Sequence, residues 1–291
     1  MVRMRCCSST CRAAATRTCR PSSKFWRRPA VSRISERFKA LRAKGETGLV
    51  TYVTAGDPDL ERSAGIIKRL DRAGADVIEL GVPFSDPLAD GPVIQRATER
   101  ALAAGATLPK VLDMLAATRA DISAPVVIFS YANPILRMGL DYFVREAGKA
   151  GVDGVLTLDM PPEEGEAFRT AFAGAGIDTI FLLSPTTTVD RIRKAAALGS
   201  GFLYGISRLG VTGVRETVND SARELAERVK AETAMPLALG FGLSRPEHVK
   251  TVGQWADAAV VGSALVKVIA EHGQAPGLLD EVERYVRWLR N

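Results

Sequence analysis

From residue 32 onward, the apolar positions of the chain alternate between two kinds of pattern. Short runs of β-branched and other apolar residues read as buried strands: Leu49 to Ala55, Asp76 to Gly81, Pro125 to Tyr131, Gly154 to Asp159, Asp178 to Ser184, Gly201 to Ser207, Pro236 to Phe241 and Ala258 to Gly262. Between them lie longer segments of helical period, such as Leu60 to Ala73 and Ser221 to Glu232, each entered through a loop with Gly, Pro, Ser or Asp. An amphipathic helix over about residues 32–43 precedes the first run. Eight strand–helix units favour closure into a barrel over an open doubly wound sheet, and no Gly-x-Gly-x-x-Gly follows the first strand. The expected fold is α/β: a (β/α)8 TIM barrel with an extra N-terminal helix. In such barrels the reactive groups sit at the C-terminal ends of the strands and in the loops beyond them.

Composition narrows this picture. With 291 residues, 46% of them apolar, the chain suits one large domain and little else. No apolar run approaches the ~20 residues needed to cross a bilayer. The formal charge of +6 is unevenly placed: residues 1–30 hold eight Lys or Arg and no Asp or Glu, which leaves residues 31–291 at −2. The body is therefore mildly acidic and gives no reason to expect a nucleic-acid partner. All four cysteines (Cys6, Cys7, Cys11, Cys19) fall in the same basic leader, so the body has no thiol for a disulfide, a zinc site or a nucleophile. The expected division is a basic Cys/Arg/Ser-rich leader, 1–30, without stable structure, and a catalytic barrel, 31–291. Two accounts of the leader stand: an over-extended start, since Val31 precedes a segment that reads like a mature N-terminus, or an organelle transit peptide. The first goes with a cytoplasmic protein, the second with a plastid one.

Candidate chemistry begins at the second run, which ends Val77-Ile78-Glu79-Leu80-Gly81 and so places a carboxyl group in an apolar strand. A buried carboxylate is costly unless it is paired or working. The next loop, Val82 to Pro92, carries three prolines and two further carboxylates. The prolines reduce its unfolded-state entropy and let it hold Asp90 near Glu79; Asp86 suits an ordinary surface turn. Two carboxyl groups in one mouth can divide acid and base roles if their environments separate their pKa values. Three later strand ends carry small residues, in Leu209-Gly210-Val211-Thr212-Gly213, Gly240-Phe241-Gly242 and Val261-Gly262-Ser263-Ala264, where backbone N–H groups can surround an anion. That set points to a phosphorylated substrate. The histidines, His248 and His272, fall in helical segments, which argues against a His-ligated catalytic metal. None of the ten lysines lies at a strand end, where a Schiff-base aldolase needs one.

The run Glu79-Leu80-Gly81-Val82-Pro83-Phe84-Ser85-Asp86-Pro87-Leu88-Ala89-Asp90-Gly91-Pro92 resembles the signature of the tryptophan synthase α chain. The resemblance covers about residues 31–290 and extends to Tyr52-Val53-Thr54-Ala55-Gly56-Asp57-Pro58, Tyr131-Ala132-Asn133-Pro134, Ser207 to Gly213 and Gly240-Phe241-Gly242. It implies a carbon–carbon lyase that splits indole-3-glycerol phosphate into indole and glyceraldehyde 3-phosphate. It also implies that Glu79 is the main acid/base group, that Asp90 holds the indole N–H, and that Tyr204 stands beside the breaking bond. Gly213, Gly242, Gly262 and Ser263 match phosphate-binding positions. Tyr52, Phe129, Leu156 and Phe241 match the indole pocket, with core packing as the rival account of each. Arg208 and Thr212 belong to a lid loop, with Thr212 reaching toward Asp90.

The resemblance further implies an α2β2 complex in which indole passes to a β subunit. No cofactor belongs to this chain; pyridoxal phosphate belongs to the β subunit. The loop with Pro83, Asp86 and Pro87 and the region from Asp159 to Pro162 match β-facing surfaces. Two other readings stay open at this point: another phosphate-binding barrel enzyme, and a catalytically weak α-like module that regulates a β subunit.

Overall fold

The computed structural model describes residues 32–206, 220–240 and 242–291, so the leader reading lies outside the described residues. Ser32 opens α1 (Arg33–Lys44) by accepting the Ser35 N–H at 3.0 Å, and Gly45 closes it at φ +66°. The chain continues through β1 (Gly48–Thr54), α2 (Leu60–Ala73), β2 (Val77–Gly81), α3 (Pro92–Ala103), α4 (Leu108–Thr118), β3 (Val126–Ser130), α5 (Ala132–Met138), α6 (Leu140–Ala150), β4 (Gly154–Thr157) and α7 (Glu166–Gly174). It ends with β5 (Asp178–Ile180), β6 (Leu182–Leu183), α8 (Val189–Leu198), β7 (Leu203–Ile206), α9 (Asp220–Glu232), β8 (Leu237–Gly240), α10 (Pro246–Gly253), β9 (Ala258–Val261), α11 (Ser263–His272) and α12 (Leu278–Leu289).

Every strand pairing is parallel, in the order β5-β4-β3-β2-β1-β9-β8-β7-β6. The two end strands are halves of one run. The sequence reads Asp178 to Ser184 as a single strand, whereas the ladder breaks at Phe181: β5 pairs with β4 and β6 pairs with β7. Phe181 itself accepts the Tyr204 N–H through its carbonyl at 3.0 Å, so the chain itself closes the ring. The break is a change of partner at the seam, which no local pattern encodes. The fold is the (β/α)8 barrel with its additional N-terminal helix.

Inward-facing Val50, Val77, Val127, Leu156, Ile180, Phe202, Ala258 and Val260 form an inner core together with Ile34 and Phe38 of α1. Their chain neighbours Leu49, Ile78, Val126, Val155, Leu203 and Ala259 face the helices in a larger outer core. Burial on both faces explains why the strands read as continuous apolar runs without polar alternation. Helix α1 stoppers the N-terminal end of the barrel, with Phe38 and Phe202 ring centroids 5.4 Å apart. Gly154 makes room for it, because a Cβ there would sit 2.9 Å from Ile34 Cδ1.

Around the same end runs a rim of aspartates placed just before strands. Asp76, Asp153 and Asp257 accept the Leu49, Val126 and Leu237 N–H groups at 2.7, 2.8 and 2.9 Å. Arg290 and Arg37 pair with Asp76, Arg119 and Arg33 with Asp153, and Arg42 with Asp257. Three of these arginines ride on α1, so the rim fastens the stopper to strand entries far apart in sequence. Asp76 is 3% exposed. Its burial pushes its pKa up, and the Arg290 charge and the Leu49 N–H pull it back. Asp76→Ala strands the Leu49 N–H without its acceptor and leaves Arg290 with backbone carbonyls alone, and it is expected to cost about 3 kcal/mol, read as a lower urea midpoint. An unchanged midpoint would remove the rim from the account of stability.

Candidate functional site

The C-terminal end of the barrel gathers the groups that the sequence singles out. Glu79 lies in the middle of β2 and points inward, in register with Tyr52 of β1 and Val127 of β3. It is 0% exposed, and neither carboxyl oxygen has a hydrogen-bond partner among the described residues. Burial pushes its pKa up to about 8. A carboxyl group so placed is neutral at pH 7 and ready to give a proton. It is not the structurally paired glutamate that an apolar strand more often tolerates.

Asp90 arrives on the loop between β2 and α3. The loop braces itself: Asp90 N–H donates to the Pro87 carbonyl at 3.0 Å, Gln95 Nε2 donates to the Asp90 carbonyl at 2.9 Å, and Pro92 opens α3 behind Gly91. Asp86 is exposed and accepts from its neighbour Ser85, as a surface turn requires. The Asp90 carboxylate stands at the mouth, where burial raises its pKa to about 6 against the pull of a hydrogen bond from Tyr131.

Three aromatic rings line the space between these carboxyl groups. Tyr52 packs edge-on against Phe129 with centroids 5.2 Å apart, and Phe129 meets Tyr204 in the same manner at 6.3 Å. Leu156, fully buried, sits beside Phe129 in the ladder. Burial first, then the charges of Asp90 and Glu79, raises the Tyr52 hydroxyl well above the ordinary tyrosine range; for Tyr204 burial is followed by Glu79. Both remain neutral hydroxyls. Glycines make space for them. A Cβ at Gly81 would fall 2.1 Å from the Tyr52 hydroxyl oxygen, and one at Gly240 would fall 2.8 Å from that of Tyr204.

The glycines expected to meet the phosphate follow adjacent strands, since Gly240 of β8 is in register with Val260 of β9. Two residues beyond these stand Gly242, at φ +67°, and Gly262, the residue that caps α11. Ser263 is the first residue of α11 and is buried. A Cβ at Gly262 would meet Tyr52 Cβ at 3.4 Å, which places this glycine beside the aromatic rings. Glu79, Asp90, Tyr204, Tyr52, Phe129, Leu156, Gly242, Gly262 and Ser263 thus share one end of the barrel. Gly213, Phe241, Arg208 and Thr212 lie outside the described residues.

A sequence profile of the family described as "Tryptophan synthase alpha chain" matches residues 38–287. The chain belongs to the tryptophan synthase alpha chain family. The tryptophan synthase alpha chain of Geotalea uraniireducens (strain Rf4) is 49% identical over 241 residues, which is 83% of this chain and 90% of that one. That of Arabidopsis thaliana is 42% identical over 259 residues, 89% of this chain and 94% of that one. Among solved structures, tryptophan synthase of Mycobacterium tuberculosis superposes with a TM-score of 0.83 at 35% identity, covering 89% of this chain and 97% of that chain. Tryptophan synthase subunit alpha of Legionella pneumophila str. Paris gives 0.81 at 37%, covering 90% and 98%.

Within this alpha-chain site, one partner was not read from the sequence. Tyr131, noted only as part of a strand-end motif, donates its hydroxyl proton to Asp90 Oδ2 at 3.1 Å. The signal available was a tyrosine at the end of the strand next to β2; nothing local says that its hydroxyl reaches a loop 41 residues earlier. Asp159, placed by resemblance on a β-facing surface, accepts the Ala132 N–H at 2.7 Å and so ties the end of β4 to that of β3. Among the described residues, no three His, Cys, Asp or Glu side chains stand close enough to hold a metal ion, and no helix is long and apolar enough to cross a membrane.

Proposed function

We propose that this chain performs the alpha-chain reaction at the site described, splitting indole-3-glycerol phosphate into indole and glyceraldehyde 3-phosphate, with Glu79 and Asp90 in different protonation states. The observation that carries the assignment of roles is the separation of their pKa values, about 8 for Glu79 and about 6 for Asp90. Between these limits one is neutral and the other charged, as acid and electrostatic stabiliser must be. Glu79 gives its proton to carbon 3 of the indole ring. As the bond from that carbon to the glycerol side chain breaks, the adjacent hydroxyl releases its proton and becomes the aldehyde. The Glu79 carboxylate takes that proton up, and the cycle closes with no net proton change. Asp90 accepts the indole N–H and stabilises the cationic ring while it exists. Tyr204 positions the breaking bond, and Gly242, Gly262 and Ser263 hold the phosphate at the start of α11.

The family works as an α2β2 complex, and its pyridoxal phosphate resides in the β subunit. We assign the protein to the cytoplasm if translation begins near Val31, and to a plastid if residues 1–30 serve as a transit peptide. The test is indole release from indole-3-glycerol phosphate by the purified chain, with and without a cognate β subunit, across pH. Slow release that the partner accelerates is expected, with kcat/KM falling below about pH 6 as Asp90 is protonated and above about pH 8 as Glu79 ionises. Folded protein that yields no indole in either mixture would favour the regulatory-module reading.

A further inference from the structure

We propose that Tyr131 is a positioning residue of this site: its single hydroxyl group fixes both the direction of the Asp90 carboxylate and the loop turn that carries it. The proposal rests on the reading that Asp90 acts as a carboxylate toward the substrate.

The geometry gives the hydroxyl two bonds of opposite sense. The Ala89 N–H donates to the Tyr131 oxygen at 3.0 Å, and the Tyr131 hydroxyl lies 3.1 Å from Asp90 Oδ2. A phenol has one proton to give. Because the backbone N–H already occupies an oxygen lone pair as donor, the phenol proton is left for Asp90, and Asp90 must accept it. The bond therefore favours the ionised carboxylate, and it leaves Oδ1 for another donor.

Tyr131 is suited to this because it is itself held. Its side chain is buried and packs against Phe84 of the same loop, with centroids 5.1 Å apart. Its carbonyl accepts the Ser130 hydroxyl at 2.9 Å, and the next residue, Ala132, donates its N–H to Asp159 at the end of β4. A strand end thus grips a loop that is otherwise held by its own backbone bonds and by the Gln95 side chain of α3.

Among the described residues, Asp90 acts on Tyr52 of β1 and Tyr204 of β7, on which Glu79 of β2 also acts; Asp86 lies on the same loop as Asp90, and Asp159 acts on Tyr131 from beyond β4. Among the described residues, Tyr131 is the side chain that hydrogen-bonds the Asp90 carboxylate. Burial raises the Asp90 pKa and this bond lowers it, so loss of the bond lets it rise further.

The experiment compares wild type and Tyr131→Phe in the complex with the β subunit, by the pH profile of kcat/KM for indole formation. In parallel, the Asp90 carboxyl carbon is titrated by 13C NMR in the ligand-free chain. Tyr131→Phe is expected to lower kcat/KM on the order of tenfold, the worth of a hydrogen bond to a charged group, mostly through kcat. The acid limb moves to higher pH and the Asp90 titration moves with it. A residue that merely fills space would leave both where they are, and an unmoved limb together with an unmoved titration overturns the proposal. If wild type forms no indole, the functional reading fails, and the NMR titration still decides Tyr131: a raised Asp90 pKa in the variant supports it, and an unchanged one overturns it. Should Tyr131→Phe fail to fold, the wild-type Tyr131 Cζ shift decides the matter, since it must follow the Asp90 titration if the bond exists and stays flat if it does not.

Discussion

Glu79→Gln is expected to lower indole formation about 10³-fold while leaving the affinity for a phosphate-bearing ligand within a few-fold. The substitution keeps the size and shape of the side chain and removes only its ability to carry a proton. A positioned acid/base group contributes roughly 10²- to 10⁴-fold, and among the described residues the Tyr52 and Tyr204 hydroxyls offer no ready proton at neutral pH, since both are pushed well above the ordinary tyrosine range. The proposed phosphate end lies on β8, β9 and α11, separated from β2 by β1. Single-turnover indole release and calorimetric binding of glycerol phosphate measure the two halves separately. Full activity in the variant would end the role given to Glu79; loss of both activity and binding would mean that the side chain shapes the pocket.

The second large effect of the same substitution is on stability, and it has the opposite sign. Glu79 has a folded-state pKa of about 8 against an ordinary 4.5, because burial penalises its charged form and, among the described residues, no hydrogen bond offsets it. Between those limits the folded chain holds a proton that the unfolded chain has lost. Stability contributed by the protonated group is therefore fully present below about pH 4.5 and declines as pH rises toward 8. Over the whole window the decline has an upper bound on the order of 5 kcal/mol. The carboxamide that replaces the carboxyl group in Glu79→Gln cannot ionise and escapes it. The variant should unfold at a higher urea concentration than wild type at pH 8, and the gap should close by pH 4.5. A gap independent of pH would show that the effect lies in packing. Asp90 and Asp153, each raised to about 6 by burial, add slopes of the same sign between pH 4 and 6, and taking the difference between wild type and variant cancels them.

These two results express one arrangement. A buried carboxyl group weakens the fold at neutral pH, and the same burial gives it a pKa useful for proton transfer. The rest of the molecule offsets that weakness through two apolar cores and the fastened stopper helix. The rim arginines and aspartates sit at the end of the barrel away from the chemistry, as the division of labour between barrel ends requires.

Much of this was legible along the chain. The pattern placed Leu60 to Ala73 as a helix with the observed limits, and it located the stopper helix to within a residue or two. It also placed Glu79 within the second strand and glycine-bearing loops beyond the later strands. Such features are local: apolar period, capping residues and glycines act over a few positions, and a carboxyl group in an apolar strand is conspicuous wherever the strand goes. Other features depend on partners brought together from afar. The break at Phe181 exists because two halves of one run pair with different neighbours at the barrel seam. Asp76 is held by Arg290, 214 positions later, and neither residue advertises the other. The sequence by itself determined the class of fold, a carboxyl group within the second strand and glycines beyond the later strand ends. Only the tertiary structure decided that Glu79 lies buried without a hydrogen-bond partner among the described residues and that the Tyr131 hydroxyl reaches Asp90, because pKa and direction are properties of what surrounds a group in space.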